Sequence, residues 1–125
     1  PCHRADGRGL GALYPPLAGS DWLDGDDERL VKLALKGLWG PIEVSGRKFD
    51  PATGGMPPMI GFATLLKDEE LAAVLSYVKQ SFGNNGDFVS PDLVKRVREA
   101  TKERSNFYMA DELLKEHPLR AKPAP

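Results

Sequence analysis

The chain has 125 residues, 41% hydrophobic and 28% charged, with a formal net charge of −1, ordinary proportions for one small globular domain with an appended tail. That balance leaves no electrostatic footprint for nucleic acid or an anionic membrane, and no apolar run approaches the roughly 18–20 residues of a transmembrane helix. With 13 Gly, 11 Pro and a single Cys, helices should be short, loops long and an internal disulfide impossible; so small a fold is marginal on burial alone and suits a cofactor as its staple.

Residues 4–19, RADGRGLGALYPPLAG, carry no helical or strand period and read as a Gly/Pro-rich loop. DDERLVKLALKGLWG predicts a helix of about ten residues. Asp26 or Asp27 caps it, Leu30, Val31, Ala34, Leu35 and Leu38 form its apolar stripe, and Gly37 and Gly40 mark its end. PIEVSGRKFD alternates around a Ser-Gly turn and suits a small hairpin, whereas PATGGMPPMIG, with its glycines and prolines, is expected to be irregular throughout. KDEELAAVLSYVKQSFGNNG is the clearest helix. Leu71, Val74, Leu75, Val78 and Phe82 make its expected buried face, acidic Asp68, Glu69 and Glu70 sit at its positive end, where Lys67 holds the cap position and Asp68 is expected to serve as cap instead, and Gly83 stops it. Ser90 and Pro91 then cap and open a third helix, and a short fourth one is expected from Ala110 to Glu116 before Pro118. AKPAP, at 121–125, reads as a linker or frayed end. Residues 90–125 carry 8 basic against 6 acidic groups; this tail is expected to pack along the domain or a neighbouring one rather than to form a core of its own.

The rare chemistry lies at the start, where the one Cys (Cys2) adjoins one of only two His (His3). The pair has three readings: an accident of the terminus, a thiol enzyme, or the end of a Cys-x-x-Cys-His haem-attachment motif whose first Cys lies two positions before Pro1. A thiol enzyme normally assembles Cys and His from distant positions with a third group orienting the ring. The haem reading makes a demand that the chain can answer, because the iron needs a second axial ligand, typically a thioether sulfur. Met56 and Met59 both lie in GGMPPMIG, where a Met has no helical face to fill, and the Pro-Pro after Met56 stiffens the loop around it. Met56 is the first candidate and Met59 the runner-up; Met109, in the polar tail, is expected to pack.

Taken together, PCHRADGRG, LYPPLAGSDWL, GPIEVSGRKFD and GGMPPM followed by LLKDEELAAVLSYVKQSFGN resemble the class I, mono-haem cytochrome c domain of the bacterial type. The resemblance implies an all-α fold, with short helices and long loops around one covalent haem c over residues 1–86, followed by a helical tail and linker at 87–125. It implies Cys2 as a thioether cysteine, His3 as proximal iron ligand, Met56 as distal ligand, and the Pro16 carbonyl as acceptor for the His3 ring. Tyr14, Trp22 and Trp39 are candidates for haem packing or propionate contact, and Arg47 for a propionate. The family's first Cys and the helix before it are missing, so residues 1–125 are expected to be a piece of a longer chain, with the face at Leu71–Phe82 partly open. The implied function is electron transfer without catalysis or a small-molecule substrate, to redox protein partners or a fused enzyme domain, in a periplasmic or otherwise exported redox enzyme or respiratory complex. The alternative, drawn from the charged amphipathic stretch Ser90–Arg104, is a cofactor-free helical protein–protein interaction module.

Overall fold

The computed structural model describes residues 2–120; the expected linker at 121–125 lies outside the described residues. After a looped N-terminal segment, the elements are a 3₁₀ turn at Asp21–Leu23, α1 (Asp27–Lys36), β1 (Ile42–Val44), β2 (Arg47–Phe49), α2 (Pro51–Gly54), α3 (Asp68–Gln80), α4 (Pro91–Ala100) and α5 (Ala110–Glu116). α1 begins where Asp26 accepts the Glu28 backbone N–H, and it ends at Gly37, whose φ of 86° is the left-handed region. β1 and β2 pair antiparallel with Ile42 opposite Phe49 and Val44 opposite Arg47, closed by Ser45-Gly46. α4 starts as expected, Ser90 accepting from the Leu93 N–H with Pro91 in the first turn.

Three sequence expectations need correction. The stretch after Asp50 is not irregular throughout, because Pro51–Gly54 forms one helical turn. Pro at a first helical position removes only an N–H that has no partner there, and Asp50 caps the turn by accepting from Ala52. The buried face of α3 is Leu71, Ala72, Leu75, Ser76 and Lys79, while Val74 is 47% exposed. Phe82 lies beyond the helix end with φ 58°. Finally, Glu70, rather than Asp68, serves the start of α3, accepting from the Lys67 backbone N–H at 2.9 Å.

The tail is integral to the core. α4 packs against both α1 and α3, and Val89, Val94, Val97, Tyr108 and Leu113 are buried in one cluster with Leu30, Leu35 and Leu71. The apolar stripe of Ser90–Arg104 is thus used within this chain. Polar ties reinforce it: Ser76 Oγ accepts from the Val89 N–H, Arg98 pairs with Asp68 at 2.8 Å and donates to the Leu66 carbonyl, and Lys79 pairs with Asp27 at 2.5 Å. No helix among the described residues is long and apolar enough to cross a membrane.

The end of the tail is anchored on the start of α1. His117 Nδ1 lies 2.5 Å from Asp26 and its Nε2 2.9 Å from Lys32 Nζ, while Lys32 also pairs with Glu116. Burial pushes the Asp26 carboxyl up, but the Glu28 N–H and His117 outweigh it, so the group sits below its usual range. A carboxyl depressed on folding adds stability above its unfolded pKa of about 3.9 and loses it as pH falls through the folded value. The Asp26→Asn variant should therefore be less stable than wild type at neutral pH, by on the order of 1 kcal/mol or less at so exposed a site. The gap should close below about pH 4; thermal melts across pH check it.

Candidate cofactor site

The N-terminal segment is a folded-back loop held by its own backbone. The Gly9 N–H donates to the His3 carbonyl at 3.0 Å, and the Leu17 and Ala18 N–H groups both donate to the Gly7 carbonyl. Leu10 and Tyr14 pair through two backbone hydrogen bonds of 2.9 and 3.2 Å. This folding carries Pro15 back to His3, whose Nδ1 lies 2.7 Å from the Pro15 carbonyl oxygen. A carbonyl only accepts, so Nδ1 carries the proton; in the neutral ring that leaves Nε2 its lone pair, the tautomer and orientation of a metal-ligating imidazole. The acceptor is Pro15 and not Pro16. Carbonyls of consecutive prolines point about 120° apart around a threefold backbone helix, so the motif alone does not say which one faces the ring.

The methionine loop meets this segment. A Cβ placed on Gly54 would lie 2.9 Å from the Cβ of Ala12, and one on Gly55 would touch Leu13, so the entrance of the Met56 loop rests on residues 12–13. Its exit is latched to the chain after α1: Met59 and Leu38 exchange backbone hydrogen bonds of 2.9 and 3.0 Å, and Phe62 and Ala63 donate to the Ala34 and Leu35 carbonyls. Those two carbonyls lie in the last turn of α1, where a helix leaves acceptors unused. Between the anchors Met56 is 7% exposed and Met59 half-buried.

The other candidates divide. Arg47 donates to the Gly11 carbonyl at 3.2 Å and sits 5.0 Å from the Phe49 ring, so it ties the hairpin to the His3 loop. Tyr14 is half-buried in the bridge to Leu10. Trp22 is a core residue whose ring N–H is engaged by the Glu43 carbonyl at 2.9 Å. Trp39 is exposed beside the tail, its N–H donating to the Tyr108 carbonyl. Met109, also expected to pack, is exposed and approaches Gly40. Cys2 is exposed, with its sulfur accessible.

These residues fit a covalently held haem. An imidazole with Nε2 available adjoins an accessible thiol, a thioether stands in a loop resting on the same segment, and apolar Leu10, Leu13 and Ile60 are accessible on the two loops. A family model described as Cytochrome c matches residues 1–82. The chain belongs to the cytochrome c family. It is 40% identical over 87 residues to "Cytochrome c-552" of Thermus thermophilus, covering 66% of this chain and 61% of that protein. It is 33% identical over 100 residues to "Alcohol dehydrogenase (quinone), cytochrome c subunit" of Gluconobacter oxydans (strain 621H), covering 78% of this chain but 19% of that subunit. The chain thus spans less than two thirds of the curated relatives it matches. As a cytochrome c domain it carries covalently bound haem c and serves as a non-catalytic electron carrier.

Sequence reasoning missed Pro15, the Leu38–Met59 latch and the place of the tail beside it. The latch is a single-residue bridge and leaves no periodic signal. The doubled proline beside a tyrosine did mark the right segment for the His3 acceptor.

Proposed function

We propose that this domain passes single electrons through a haem c ligated by His3 and Met56 and tethered at Cys2, as part of a larger redox enzyme or chain of carriers outside the cytoplasm. The observation that carries the reading is the His3 Nδ1 bond to Pro15, which fixes the ring with its other nitrogen available on a segment touched by the Met56 loop. Iron supplies the one-electron couple. The chain's task is to hold both ligands still, so that little rearranges when the charge changes. Buried Met56 and the backbone latch at Met59 serve that end, and a soft thioether favours the reduced state. The relatives that are subunits of a quinone alcohol dehydrogenase support a place beside a catalytic partner.

Acid–organic extraction of the holoprotein, followed by mass spectrometry, tests the tether. Haem mass should stay on the peptide containing Cys2; its release would overturn the reading. X-ray absorption at the iron should show one thioether sulfur, and its absence would remove methionine ligation.

A further inference from the structure

We infer that the tail holds the Met56 loop closed, with Arg104 as the positioning residue that shapes the tail for this task. The inference rests on Met56 being the distal ligand. Leu38 has two partners, one on each side. Met59, three residues after Met56, pairs with it antiparallel, and Tyr108 pairs with it in parallel. The second pairing consists of Tyr108 N–H to the Gly37 carbonyl at 3.1 Å and Trp39 N–H to the Tyr108 carbonyl at 3.0 Å. The row Met59–Leu38–Tyr108 therefore crosses from the ligand loop to the tail. A two-membered pairing is marginal in water, and a third member steadies it.

Arg104 gives Tyr108 its edge. Its guanidinium lies 3.7 Å from the Tyr108 ring centroid, donates to the Asn106 carbonyl at 3.1 Å and the Phe107 carbonyl at 2.6 Å, and grips both oxygens of Glu112 at 3.0 and 2.7 Å. One Glu112 oxygen also accepts from the Met109 N–H. A planar, two-pronged cation can hold a turn, a ring and a carboxylate at once, which a lysine cannot. Gly37 shows how tightly the three segments meet: a Cβ there would lie 2.4 Å from the Met59 oxygen and 2.6 Å from the Phe107 ring. Loosening the tail thus removes the support behind Leu38, and Met59 shares the resulting freedom.

The test uses the full-chain holoprotein with Arg104→Gln, with Glu112→Gln as a milder second variant should the first fold poorly. Cyanide binds ferric haem only when the methionine has left, so its apparent affinity reports the open fraction of the loop. Arg104→Gln should bind cyanide about tenfold more tightly and exchange the Met59 amide about tenfold faster. Lys102→Ala, which breaks only the exposed pair with Glu99, should change neither. Faster exchange at Tyr108 with Met59 exchange and cyanide affinity unchanged would overturn the inference, since a purely structural tail behaves that way. A wild type without thioether ligation would defeat the Met56 assignment instead, and Met59 exchange would still decide whether the tail holds the loop.

Discussion

Met56→Ala is expected to abolish the sulfur-to-iron charge-transfer band of the ferric protein and to lower its midpoint potential by tenths of a volt, within the roughly 0.8 V span that axial ligands command. The direction follows from softness: a thioether stabilises the reduced iron, and removing it favours the oxidised form. Alanine alone does not separate ligand from packing, because Met56 is buried and truncating a core Met costs about 2–5 kcal/mol in any case. Met56→Leu separates the two. It nearly conserves volume, so as a packing residue it should cost under about 1.5 kcal/mol and leave the spectrum alone. As a ligand, it should lose the band as completely as alanine does. Met59→Ala should keep the band, because the latch to Leu38 is made by backbone. A band that survives in Met56→Leu and vanishes in Met59→Ala would transfer the role to Met59.

The parts of the fold that could be read from the sequence are those in which local chemistry repeats. α1 and α4 carry side-chain caps at their expected positions, the hairpin its Ser-Gly turn, and α5 its expected bounds. The family, and with it the haem and electron transfer, was legible because Cys2-His3 and Met56 stand in distinctive segments of the right order. What escaped was long-range and aperiodic. Val74 shares the apolar period of α3 yet is exposed, since α4 covers only one side of that helix. Trp22 invited a role at the haem because aromatic residues near such a loop often have one, but its N–H is satisfied by Glu43, 21 residues away. The tail's sparse apolar residues suited packing along the domain but not a place in its core; three-dimensional packing buries Val89, Val94, Val97, Tyr108 and Leu113 there, while Phe88, Phe107 and Met109 stay exposed. Arg29 carries no hydrophobic signal in the sequence, and its burial shows only in the structure, where it lies one turn before buried Leu33.

Arg29→Ala should destabilise the protein by about 3–5 kcal/mol, the range for removing one side of a buried charged network. Arg29 is 0% exposed. One of its terminal nitrogens donates to the His117 and Pro118 carbonyls at 3.1 and 3.2 Å, and the other to the Trp22 carbonyl at 3.2 Å and to that of Asp24. The side chain also lies 5.5 Å from the Trp22 ring centroid. It therefore joins the end of the tail to the 3₁₀ turn, with α1 as the post between them. Burial pulls the guanidinium pKa down from its ordinary value, and Asp26, Asp21, Asp27 and Asp24 oppose that pull, so the group stays charged. Alanine leaves four carbonyls without their donor and opens a cavity beside Trp22. Met in the same place refills most of the volume but supplies no donor, so the difference between Arg29→Met and Arg29→Ala measures packing, and what Arg29→Met still loses measures hydrogen bonding. Lysine keeps the charge without the fork and should fall between wild type and Met. Denaturant unfolding of the three holoproteins, read at constant slope, gives these differences directly. Equal stability of Arg29→Met and wild type would show that packing alone fixes the tail.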